Sequence, residues 1–303
     1  MKKSLLTATR MGTLLACPRR HFWRFEMGLQ PMTKAEALRL GSAWHRGMEA
    51  RWRGGDYNAA LAAAIPVGVD LDPLQFATIA GLLAGYYLHY AGTEVVKEIH
   101  PEVEFRHALE GTRSFDAAGK IDGLGVLHDG RMVLIEHKTC GEDISAESEY
   151  WLRLRANQQV MQYVLAARAL GWDVQQVIYD VARKPAIRQK QTETPEQFGD
   201  RLQADCMARP EFYFARREVP ILEQDLEEFK TQRLVLARSI LTCRAAEKRL
   251  VRREQAWPRN VNGMVCGNCE FSSFCLQNIN INNNQPPAGF QIGPANPELE
   301  TQV

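Results

Sequence analysis

Between Ala117 and Lys138 the chain reads as a β-hairpin whose register is fixed by its turn. Strand-forming residues fill Ala117–Leu127 and Met132–Lys138, with Asp129-Gly130 between them. Side chains alternate along a strand, so Glu136 and Lys138 share a face. Whether Asp122 joins that face depends on the loop. A two-residue Asp-Gly turn pairs 128 with 131, and therefore 122 with 137, which is the wrong face. A three-residue loop, His128-Asp129-Gly130, pairs 127 with 131 and therefore 122 with 136. That loop is a type I turn followed by glycine at positive φ, and it predicts Gly130 in the left-handed region. Val133-Leu134-Ile135 is apolar on both faces, as in a strand covered on both sides. Charges on such a strand need a partner or a metal. On a surface hairpin the same residues would form an ordinary cross-strand pair worth a few tenths of a kcal/mol.

Composition sets the outer limits. A chain of 303 residues is long enough for one large domain or two small ones, and 45% hydrophobic with 24% charged residues is ordinary for a globular protein. The net charge of +1 gives no global field for nucleic acid, so any such binding uses local patches. Arg19-Arg20 with Arg24, Arg51 with Arg53, Arg153 with Arg155, and Lys248 through Arg253 are the candidates, each also readable as a solvated face. The start of the chain resembles an export signal, but Thr7, Thr9 and Arg10 leave only about six apolar residues, short of the roughly 7–15 required. The apolar run from Phe76 to Gly92 opens on Asp72-Pro73, an N-cap with proline at the first helical position, and reads as a buried helix rather than a membrane span. A soluble, cytoplasmic protein with no membrane partner is expected.

Helices are expected over 34–53, with Leu38, Gly41, His45, Met48 and Trp52 on one face, and over 73–91. A strand near Val103–His107 precedes the hairpin. A single helix over about 149–170, stopped by Gly171, and a strand over Val174–Val181 follow it, which suggests a parallel crossover. A long amphipathic helix is expected over about 221–255. From Asn278 onward Asn, Gln, Pro and Gly dominate, and a disordered tail is expected over 278–303. No G-x4-G-K-[ST] loop occurs, so no ATP-driven motor is expected.

Outside the hairpin, His45 on an apolar helix face fits either a satisfied core histidine or a neutral metal ligand. Gln159 and Tyr163 lie one helical turn apart. They are a bland polar face in isolation and contacts for a phosphate or base if set beside the hairpin. The chain has seven cysteines, of which Cys266, Cys269 and Cys275 form C-x2-C-x5-C, and Cys17 stands before Pro18 and an aromatic-basic stretch. Four thiolates bind zinc or an iron–sulfur cluster. Two close knuckles are the commoner zinc pattern, so one distant cysteine with a trio favours a cluster. Cys17, Phe22 and Phe25 also read as core residues.

Taken together, these residues resemble the PD-(D/E)XK nuclease superfamily. Within it they look like the iron–sulfur branch that holds the RecB and AddB nuclease domains and the single-domain CRISPR-associated adaptation nucleases. The resemblance covers about residues 5–277. It places the family's helix histidine on His45, its motif aspartate on Asp122, its glutamate on Glu136, its lysine on Lys138 and its Q-x3-Y motif on Gln159 and Tyr163. Cys17, Cys266, Cys269 and Cys275 fall on its [4Fe–4S] ligands. Ile121 replaces the namesake proline, the final acid is glutamate where this branch often has aspartate, and Gln158 leaves the glutamine assignment open by one position. Glu102 or Glu104 adds a further candidate acid.

The resemblance implies an α/β restriction-endonuclease-like core, a central mixed sheet flanked by helices, with the cluster joining the N- and C-terminal arms. Its expected layout is a single nuclease domain over 1–277, with a helical insertion at about 34–92, a core at about 100–185 and a cysteine arm at about 220–277. It further implies Mg2+ or Mn2+ held by His45, Asp122, Glu136 and the His137 carbonyl. Asp122, Glu136, Lys138, Gln159 and Tyr163 are the catalytic set. The expected activity is that of an exonuclease on single-stranded DNA or duplex ends in recombination, repair or phage DNA processing, with a separate helicase or recombination protein as a possible partner. A non-catalytic nucleic-acid-binding protein that keeps the fold is the alternative.

Overall fold

A computed structural model describes residues 3–33, 36–65, 71–281 and 285–299. In chain order the elements are β1 (Ser4–Leu6), α1 (Ala8–Ala16), α2 (Pro18–His21), a π-helical turn (Phe22–Glu26), β2 (Leu29–Pro31), α3 (Glu36–Trp52), α4 (Tyr57–Ala64), α5 (Pro73–His89), β3 (Val96–Ala108), β4 (Phe115–Leu127), β5 (Met132–Cys140), α6 (Glu149–Arg155), α7 (Gln158–Ala169), β6 (Gln176–Arg183), α8 (Pro195–Ala208), α9 (Pro210–Tyr213), β7 (Phe214–Pro220), α10 (Glu223–Glu247), α11 (Gly263–Gly267), α12 (Ser272–Leu276) and β8 (Phe290–Ile292). Contacts divide the chain into two compact units interleaved in sequence, where the sequence suggested one domain over 1–277: residues 1–34, 104–119 and 224–303 form the first, and 35–103 with 120–223 the second.

The second unit is an α/β fold around a mixed sheet. In it β4 runs antiparallel to β5, β5 parallel to β6, and β6 antiparallel to β7, with β3 also beside β4. The hairpin has the register its turn dictates. Gly123 faces Ile135 and Val126 faces Met132. The Gly130 N–H donates to the Leu127 carbonyl and the Leu127 N–H to the Arg131 carbonyl, with Gly130 at φ 91°. Extending the pairing one step sets Asp122 opposite Glu136. Val133, Leu134 and Ile135 are fully buried. Val133 and Ile135 enter a core with Trp44, Met48, Ile79, Leu83 and Tyr86, and both α3 and α7 pack on β5.

Helix α5 starts where the sequence says it does: Asp72 and Gln75 form a reciprocal capping box before Pro73. It packs closely on α8 because Gly81 has no side chain. A Cβ there would lie 2.7 Å from the Gly199 carbonyl oxygen. Between Tyr150 and Arg168 two helices replace the one expected. The first closes on Ala156, and Asn157 caps the second, accepting from the N–H groups of Gln159 and Val160. No helix among the described residues is long and apolar enough to cross a membrane.

The first unit holds both ends of the described chain. β1 pairs in parallel with Phe115–Ala117 at the start of β4. Arg10 is buried against Glu26, which also accepts from Arg244 at 2.8 and 3.0 Å. Helix α10 stops at Glu247, short of the expected 255, and a 3-10 turn covers Arg253–Ala256. The tail expected to be disordered is ordered over 285–299. There β8 pairs antiparallel with β2, and the buried Asn296 side chain accepts from the Thr7 hydroxyl. These residues of mixed polar composition gain partners that local sequence cannot show. Residues 282–284 and 300–303 of that expectation lie outside the described residues, as do Lys34 and Ala35 of the expected first helix.

Candidate active site

The hairpin and the two helices on β5 bring most of the candidate residues of the second unit together. Glu136 and Lys138 follow Leu134 onto the face of β5 that meets α7. His137 follows Val133 and Ile135 onto the other. Lys138 Nζ donates to Glu136 Oε1 at 2.5 Å and to Gln159 Oε1 at 3.0 Å. Gln159 Nε2 donates to the Tyr163 hydroxyl at 3.1 Å. The structure thus selects Gln159 over Gln158. Asp122 Oδ2 accepts from the His137 N–H at 2.8 Å and lies 3.4 Å from His45 Nδ1, contributed by α3.

Electrostatics at these groups is strongly coupled. Desolvation would raise the pKa of Asp122, but His45 and the His137 N–H hold it down to about 2. Desolvation works against protonated His45, yet Asp122 and Glu136 raise its pKa above the ordinary imidazole value. Glu136 is fully buried. Burial raises its pKa, against the pull of Lys138 and with the push of Asp122. Tyr163 is driven well above an ordinary phenol by burial, then by Glu136 and Asp122.

Two carboxylates were missed or left open by the sequence. Of Glu102 and Glu104, it is Glu102 that pairs with Lys120, and its pKa is raised by burial, with Asp122 adding to the effect. Its backbone is left-handed (φ 57°), which breaks the two-residue alternation that parity reasoning on β3 would use. Asp180, on β6 opposite His137, is buried and lies 3.4 Å from His137 Nδ1 and from Arg216 Nε, and it accepts from the Tyr86 hydroxyl. A lone acid inside the apolar strand Gln176–Arg183 was the available signal.

Among the described residues no group of three or more His, Cys, Asp or Glu side chains is assembled so that it could hold a metal as it stands. The fit of a cation is best read at one atom. Glu136 Oε2 is buried without a hydrogen-bond partner among the described residues, and an unsatisfied carboxylate oxygen is costly unless something positive meets it. Oxygen donors with one imidazole suit Mg2+ or Mn2+.

In the first unit, Cys17, Cys266, Cys269 and Cys275 line one small pocket. Asn260 braces Cys17 from both sides: its N–H donates to Cys17 Sγ at 3.5 Å and its Nδ2 to the Ala16 carbonyl at 2.8 Å. Burial raises the thiol pKa values of Cys269 and Cys275. Phe22 and Phe25 are buried core residues, so they are not stacking platforms for bases.

The PD-(D/E)XK nuclease superfamily model matches residues 5–276. The chain belongs to that superfamily, whose members are nucleases. Its fold is similar to the crystal structure of SSO0001, at 14% identity and TM-score 0.44 over 91% of this chain and 87% of that one. It is also similar to a phage-related exonuclease from Haemophilus somnus 129PT, at 11% identity and TM-score 0.34 over 78% of this chain and 92% of that one. No curated protein matches the sequence.

Proposed function

We propose that the chain is a divalent-metal-dependent DNA nuclease, acting as an exonuclease on single strands or duplex ends. The observation that carries this reading is Lys138 held between Glu136 and Gln159, next to a buried Glu136 oxygen with no partner among the described residues. Mg2+ or Mn2+ bound by Asp122 and Glu136, with His45 and the His137 carbonyl, would supply positive charge at the scissile phosphate and a water of lowered pKa. Lys138 keeps its ammonium at a fixed point from which it orients that water and offsets charge developing on the phosphoryl oxygens. Gln159 holds Lys138 in place and is itself fixed by Tyr163. Asp122 stays ionised, because His45 and the His137 N–H both favour its charged form.

Cys17, Cys266, Cys269 and Cys275 would hold a [4Fe–4S] cluster with a structural role in the first unit. That all four cysteines line one small pocket supports this reading. The test of the function is degradation of end-labelled single-stranded and duplex oligonucleotides with Mg2+ or Mn2+. Cleavage by the unmodified chain and none by Glu136→Ala is expected. Equal substrate loss with both would rule out this site.

A further inference from the structure

The second unit also holds an apolar cavity of about 190 Å3, lined in part by chain neighbours of the candidate site residues. Its floor is buried and formed by Trp44, Ile79 and Leu82; its rim is half-buried and includes Leu40, Thr139 and Lys184. Two of these residues are chain neighbours of the site. Trp44 precedes His45 on α3, and Thr139 follows Lys138 on β5, on the strand face it shares with His137, so the cavity lies one residue step along each backbone from the candidate site. The Trp44 ring is almost completely buried, packed edge-on against Tyr86 at 5.5 Å. Its Nε1–H nevertheless has no acceptor among the described residues. A buried indole N–H normally finds a partner.

We propose that this cavity receives the nucleobase adjacent to the bond being cut. The inference rests on the nuclease reading of the neighbouring site. A base has flat apolar faces and a polar edge. The cavity offers aliphatic walls, one unpaired donor, a threonine hydroxyl at the rim and a lysine at the mouth for the phosphate of the same nucleotide. The volume excludes most larger ligands, since pockets for drug-sized molecules measure about 300–1,000 Å3. Seating one base would hold the strand in a single register against Lys138 and Glu136, which makes this a positioning site rather than a source of chemistry.

The test is an abasic walk. Single-stranded oligonucleotides with one missing base, moved along the strand, are bound to the full chain carrying Glu136→Ala, with cleavage by the unmodified chain under Mn2+ followed in parallel. One position is expected at which losing the base weakens binding about ten-fold. Leu40→Trp, which fills the cavity from its rim, flattens that dip; Trp44→Phe, which keeps the ring and removes the N–H, makes it shallower. A flat profile from a chain that still cuts DNA overturns the pocket and leaves the nuclease reading intact. A dip that persists in folded Leu40→Trp also overturns the pocket. A chain that neither binds nor cuts any oligonucleotide overturns both.

Discussion

At the scale of single residues, the site is a set of mutual dependencies. Lys138 is placed by Glu136 on one side and Gln159 on the other. Glu136→Ala and Lys138→Ala are each expected to lower the rate of single-turnover cleavage by at least about 100-fold. Gln159→Ala, which frees Lys138 without removing it, should cost about 10–100-fold. Gln158→Ala should leave the rate near that of the unmodified chain, and a comparable loss from both glutamines would contradict the geometry. The acid–base pair also has a sign that can be checked. The folded-state pKa of Asp122 is depressed to about 2, so its contribution to stability is present above its unfolded value of about 3.9 and fades as pH falls toward 2. His45 is shifted upward, so its contribution is complete below about pH 6.5 and fades as pH rises through the raised value. In metal-free protein, thermal unfolding should therefore show the largest gap between the unmodified chain and Asp122→Asn between about pH 4 and 6.5.

Elements fix how well those residues are held. The break between α6 and α7 depends on Asn157, whose side chain takes the N–H groups of Gln159 and Val160. Asn157→Ala should lower unfolding free energy by about 1 kcal/mol. It should also reduce cleavage, because the first turn it anchors carries Gln159. Gly81→Ala acts on packing instead. Its new methyl would lie 2.7 Å from the Gly199 carbonyl, against backbone that has no rotamer to change. A loss of about 1–3 kcal/mol is expected. Denaturant titration of both variants separates the cases: the Asn157 variant should lose more activity per kcal/mol than the Gly81 variant, which is remote from the lysine. The hairpin turn was legible because its length and parity are local properties. The helix break at Asn157 was not, because asparagine is tolerated inside helices and becomes a cap only when the chain turns there.

For the whole molecule, the two compact units assign separate tasks to separate parts of the sequence. The candidate catalytic residues lie in the second unit, and the four cysteines lie in the first. Cys17→Ser and Cys275→Ser should lose iron, brown colour and thermal stability together, since cluster binding is folding free energy. Glu136→Ala should keep all three while losing activity. Burial raises the thiol pKa values of Cys269 and Cys275, so loading must displace protons, and reconstitution should be more complete as pH rises. Metal analysis and visible absorption on anaerobically purified protein read out each outcome.

What the sequence alone determined is whatever a short stretch enforces on itself: the hairpin register that sets Asp122 opposite Glu136, the N-cap at Asp72 and the order of the candidate catalytic residues. Strand alternation and turn stereochemistry act over a few bonds, so they survive without knowledge of the rest of the chain. Only the tertiary structure decided between Gln158 and Gln159, chose Glu102 over Glu104, placed Asp180 behind His137 and gave the tail over 285–299 a strand partner. Each of those outcomes depends on which group from a distant segment arrives at hydrogen-bonding distance, and desolvation then multiplies the consequence. A carboxylate such as Glu136, with one oxygen bound by lysine and the other by nothing among the described residues, acquires its chemical meaning from that burial.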